Sequence, residues 1–66
     1  MAKITLKAAR VNAGYTQGAA AKLLGVCNKT LCNWEQGKAF PDAEKIKQIC
    51  NVYSVRYDDI NFLPKS

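Results

Sequence analysis

Apolar residues along the chain recur at spacings of three and four rather than two. That is the mark of amphipathic helices, not strands. Gly14, Gly25, Gly37, Pro41 and Pro64 punctuate the pattern, so each helix is short. The first is predicted from about Leu6 to Ala13. Thr5 is its N-cap, Ile4 staples onto Ala9, and Gly14 supplies the left-handed residue that stops it. Leu6, Ala9, Arg10 and Ala13 share its inward face. The second runs from the N-cap Thr16 to the stop at Gly25, burying Ala20, Ala21, Leu23 and Leu24. The third begins after Val26, turns Leu31 and Trp34 inward, and ends about Gln36, before Gly37. Asp42 caps a fourth, with Ala43, Ile46, Ile49 and Cys50 on one side. A last short helix is expected near Tyr57 to Ile60, followed by Phe62 and Leu63. The expected architecture is all-α: one domain over residues 1–66, built as a small bundle of four to five helices.

Charge adds a partner class. The 66 residues carry ten Lys plus Arg against five Asp plus Glu, a net charge of +5. Residues 1–40 hold six basic side chains and only Glu35 on the acidic side, while residues 41–66 balance to zero. A basic excess points to a polyanion, nucleic acid or lipid surface, and here it lies in the first forty residues. The Lys residues are scattered over separate helices, which argues against a basic amphipathic membrane helix. No apolar run approaches the ~20 residues that span a bilayer, and a cytoplasmic protein is expected.

Catalytic chemistry finds little support. The chain has no His, so no Ser-His or Cys-His pair, and it has no P-loop. Asp58 and Asp59 are the one close pair of acids, and capping the last helix is their expected role. Cys27, Cys32 and Cys50 form an odd set without a C-x-x-C pair, which argues for reduced thiols and against zinc. The expectation is no enzyme, metal, cofactor or small-molecule substrate.

The informative stretch is Gln17 to Trp34. Counted from Gln17, Ala21 is fifth, Gly25 ninth, Val26 tenth, Leu31 fifteenth and Trp34 eighteenth. In a helix-turn-helix the two helices cross steeply, so the residue at the crossing must be small, as Ala21 is. The turn needs a positive φ at its first residue, which Gly25 adopts without steric cost. Val26, Leu31 and Trp34 then bury the back of the second helix. Its front carries Asn28, Lys29, Cys32, Asn33 and Gln36, a face with no carboxylate. Amide side chains pair bidentately with adenine, and Lys donates to guanine O6 and N7.

With these features the chain resembles the phage repressor and Cro type of helix-turn-helix regulators, the lambda-repressor-like fold. The words that carry the resemblance are L-K-A-A-R, G-Y-T-Q, A-K-L-L-G-V, T-L-C-N-W-E-Q-G-K, F-P and Y-D-D-I-N-F, from Leu6 to Phe62. The resemblance implies sequence-specific binding of double-stranded DNA by a dimer, probing a palindromic operator from the major groove. It carries base reading to Asn28, Lys29 and Asn33, with Cys32 placed to touch a thymine methyl. It carries phosphate contacts to Gln17, Gln36 and Lys38, and an ion pair across helices to Arg10 and Glu35. Thr16 is expected at phosphate because it sits with the free amides and positive dipole end of the second helix. Tyr57, Ile60, Phe62 and Leu63, with Phe40, form the expected dimer surface, with core packing expected to claim some of them. The same fold also occurs in protein-interaction modules such as antitoxins and anti-repressors, which is the alternative reading.

The chain departs from the family pattern at three places. Cys27 stands where the reading helix is usually capped by Ser or Thr, so a cap poorer by ~1 kcal/mol is expected. At a helix N-terminus its thiol is also the one expected to have a lowered pKa. Ser54 and Arg56 replace a usual Gly and a usual capping Ser.

Overall fold

The computed structural model describes residues 3–62. In chain order the elements are β1 (Ile4–Thr5), α1 (Leu6–Asn12), α2 (Gln17–Leu24), α3 (Asn28–Gln36), α4 (Ala43–Tyr53), a 3-10 turn (Tyr57–Asp59) and β2 (Ile60–Asn61). Local chemistry sets most boundaries. The hydroxyl oxygens of Thr5 and Thr16 accept from the backbone N–H of Ala8 and Ala19, at 3.0 and 3.1 Å. The Asp42 carboxylate accepts from that of Lys45 at 2.9 Å. Each cap satisfies one of the amides that a helix start leaves without a partner.

At their carboxyl ends α2 and α3 stop at Gly25 and Gly37, both left-handed. Ser54 closes α4 in the same conformation, at φ 56°. A Cβ makes that conformation unfavourable by ~1–2 kcal/mol. The geometry that a glycine would favour is therefore kept without one. Arg56 gives no side-chain cap to the turn that follows. Asp59 takes over, its carboxylate accepting the Arg56 N–H at 3.3 Å.

The core lies where α2, α3 and α4 meet over α1. Leu24, Leu31 and Ile49 are its largest fully enclosed side chains, with Trp34 and Tyr53 beside them. Several expected inward positions fall elsewhere. Leu23 is 56 % exposed, because Ala20, Ala21 and Leu24 already occupy the face of α2 toward its neighbours. Ala43 is exposed and Cys50 half-buried, since α4 turns Ile49 and Tyr53 most deeply inward.

The last segment differs most from expectation. Its expected short helix is a single 3-10 turn, and the chain then pairs as a parallel strand with β1, Ile4 opposite Ile60 and Thr5 opposite Asn61, which was not expected. Ile60 and Phe62 are core residues, at 2 % and 6 % exposure. They are thus withdrawn from the expected dimer surface, leaving Tyr57 and Phe40 exposed. Leu63 lies outside the described residues. Among the described residues no helix is long and apolar enough to cross a membrane.

Candidate nucleic-acid interface

The turn between α2 and α3 comprises Gly25, Val26 and Cys27. Gly25 adopts φ 71°, and its N–H bonds back to the carbonyls of Ala21 and Lys22. Val26 N–H reaches the Ala21 carbonyl at 3.0 Å. Ala21 is 2 % exposed, as a small residue at a close helix crossing should be. Leu31 and Trp34 anchor α3 on its inner side.

The outer side of α3 is polar. Asn28, Lys29 and Gln36 are exposed, and Cys32 and Asn33 are partly so. Gln36 Nε2 donates to Cys32 Sγ at 3.3 Å, so the two share one position on the helix surface. The side chain of Asn28 reaches toward the amino end of α2: its Oδ1 lies 3.7 Å from where a Cβ on Gly18 would stand. The front of α3 and the first turn of α2 thus form one continuous surface.

At the head of α3, Cys27 occupies the cap position but makes no side-chain cap bond. Its Sγ meets Thr30 Oγ1 at 3.2 Å. The bond to that hydroxyl, above all, holds the exposed thiol below its ordinary pKa.

Behind the surface lies a polar hub. Arg10 Nε donates to Glu35 Oε2 at 2.7 Å. Arg10 Nη1 donates to the Tyr15 carbonyl at 3.0 Å, so one guanidinium ties α1 to α3 and to the loop before α2. The Arg10 and Glu35 side chains are only 9 % and 5 % exposed. Gln17 joins them, Nε2 donating to Glu35 Oε1 at 3.1 Å. A shallow hollow of about 260 Å³ opens here, lined by Lys7, Arg10, Gln17, Cys32, Glu35 and Gln36.

The residues expected at phosphate flank the front of α3. Thr16 and Gln17 sit at the head of α2, where free amides and the positive dipole end favour an anion. The Thr16 oxygen is used in its cap, which leaves the hydroxyl proton to donate. Gln17 uses one amide proton on Glu35 and keeps the other. Lys38 is exposed just beyond Gly37, its backbone N–H held by the Asn33 carbonyl at 2.9 Å.

Two features of the site escaped sequence reasoning. The Gln17–Glu35 bond joins positions eighteen apart, and no local pattern announces it. Lys45, on α4, donates to the Leu24 carbonyl at 2.8 Å; along the sequence it reads as one more solvated lysine. Among the described residues no group of His, Cys, Asp and Glu could hold a metal ion.

Comparison with known proteins agrees with this geometry. A family model described as a helix-turn-helix domain matches residues 4–62. The HTH-type transcriptional regulator ImmR of Bacillus subtilis (strain 168) is 42 % identical over 53 residues. That match covers 80 % of this chain and 42 % of the relative, so the chain spans under half the length of that protein.

Proposed function

The chain belongs to the helix-turn-helix domain family, and on that premise we propose that it is a sequence-specific DNA-binding transcriptional regulator. In this reading it acts as a repressor or Cro-like protein and presents α3 to the major groove as a dimer. One observation carries the reading: the front of α3 joins amides and a lysine, without a carboxylate, on a helix whose back is locked into the core. Asn28, Lys29 and Asn33 read base edges, the asparagines as adenine readers and Lys29 toward guanine. Cys32 packs on a thymine methyl. Thr16, Gln17, Gln36 and Lys38 hold phosphates on either side. Arg10 and Glu35 fix the mutual orientation of the helices that carry these groups.

The size of the domain supports a second copy. The molecule measures 30 Å along its longest axis, whereas two half-sites on one face of a duplex lie ~34 Å apart. One copy of this domain, with its single α3, therefore reads one half-site. A palindromic operator and a homodimer are the matching pair.

Selection of binding sites from random duplexes tests the reading. An enriched palindrome is expected, with log K falling by ~0.9 for each phosphate contact as log salt rises. Asn33→Ala is expected to relax preference at one base position of each half-site. A chain that enriches no sequence at low salt, yet captures a protein partner, would instead be an interaction module of the antitoxin or anti-repressor kind.

A further inference from the structure

We infer that Lys45, on α4, is a positioning residue for the reading helix: its ammonium clamps the carboxyl end of α2 and thereby fixes the turn from which α3 departs. The inference rests on the DNA readout proposed above and adds to it a residue outside the helix-turn-helix.

A helix leaves its last four carbonyls without intrahelical donors. In α2, backbone amides of the turn take two of them, those of Ala21 and Lys22. Leu24, the final residue, is 1 % exposed, and the partner of its carbonyl is Lys45 Nζ, at 2.8 Å. A cation is favoured at this end of a helix dipole, and the bond is charge-assisted. The same ammonium lies 3.8 Å from where a Cβ on Gly25 would stand, so it rests against the turn itself.

The clamp has a firm base. Lys45 N–H is held by the Asp42 cap, and Ile49 and Tyr53 fix α4 in the core. Its importance is raised by what is missing on the other side of the turn. Cys27 gives α3 no side-chain cap, so the turn is secured from the α2 side, by a group that α4 supplies.

The test uses Lys45→Met, which keeps the stem and removes the ammonium. Lys45→Arg is the conservative rescue, and Lys47→Met removes an exposed lysine of the same helix. Affinity is measured below the melting transition, on the duplex selected by the wild type and on an unrelated duplex, across a salt series. Amide resonances of Gly25, Val26 and Cys27 are followed in the same variants.

Lys45→Met is expected to bind the selected duplex about tenfold more weakly, a loss that one charge-assisted hydrogen bond supports. The unrelated duplex should be bound as before, with an unchanged salt slope, because no phosphate contact is lost. The turn amides should shift, Lys45→Arg should recover most of the affinity, and Lys47→Met should match the wild type. Equal weakening on both duplexes with a shallower salt slope would make Lys45 a phosphate contact and overturn the inference. So would unmoved turn amides. If the wild type selects no duplex, the proposed readout fails, and the turn amides still decide whether the clamp exists. Lys45→Gln, a neutral donor on a shorter stem, replaces Lys45→Met if the latter fails to fold.

Discussion

Glu35 is the acceptor on which Arg10 Nε, Arg10 Nη2 and Gln17 Nε2 converge, at 2.7, 3.4 and 3.1 Å. Such a pair contributes little net stability against an apolar replacement, but removing one member leaves the other charge buried and unpaired, at ~3–5 kcal/mol. Glu35→Ala is therefore expected to lower stability by about 3 kcal/mol, and Lys38→Ala by less than about 0.5, as for an ordinary surface change. Equal denaturant midpoints for the two variants would rule this out. Tyr53 presents the opposite case. Its hydroxyl is buried and has no hydrogen-bond partner among the described residues. Burial, and then the charge of Glu35, push its pKa up to about 12. The folded state thus keeps the proton where the unfolded chain, with an ordinary tyrosine near 10, releases it. Stability should be fully present below about pH 10 and decline from there toward pH 12. Tyr53→Phe should abolish Tyr53's share of that decline and leave stability at neutral pH within about 1 kcal/mol of wild type or above it. Unfolding curves of both proteins across the alkaline range would show it.

Among the elements, α3 begins differently from its neighbours. Thr5, Thr16 and Asp42 all bond to an amide of the helix they open, and Cys27 does not. Cys27→Ser is accordingly expected to stabilise the fold by about 0.5–1 kcal/mol, through a hydroxyl that accepts from the first turn. A melting point equal to that of Cys27→Ala would refute the missing cap as its cause. The helices were legible in the sequence because caps and glycine stops are local: Thr16 and Gly25 bracket α2, and Gly37 ends α3, as expected from their chemistry. The inward face was read less well. Leu23 fits the helical period as well as Leu24 does, and only the placement of the other helices decides between them. The β1–β2 pairing was invisible, since two-residue strands have no period to detect. In the site, α3's exposed face followed from spacing, whereas Gln17–Glu35 and Lys45–Leu24 depend on contacts between elements.

At the scale of the whole molecule, the excess positive charge and the helix-turn-helix share residues 1–40. Lys7, Lys22, Lys29 and Lys38 are all exposed, which suits attraction to a duplex at a distance. The exposed rings lie elsewhere. Tyr57 stacks on Phe62 with centroids 5.6 Å apart, and Phe40 meets the same ring edge-on at 6.1 Å. Among the described residues, their outer faces are the part of the proposed dimer surface that stays exposed. Phe40→Ser combined with Tyr57→Ser should reduce the dimer fraction in sedimentation and lower affinity for a full palindrome, while half-site binding is retained. An unchanged sedimentation profile would place the dimer contact elsewhere.

The pairing of Ile4 with Ile60 brings together residues 56 positions apart. The junctions between consecutive helices need far shorter loops. Closing a span of 56 residues costs on the order of 3–4 kcal/mol of chain entropy, returned only after the intervening helices have docked. The two ends should therefore join after the rate-limiting barrier to folding. Ile60→Val should speed unfolding and leave the folding rate nearly unchanged, a φ-value close to zero. A slowed folding limb in the chevron would put the seam in the nucleus instead.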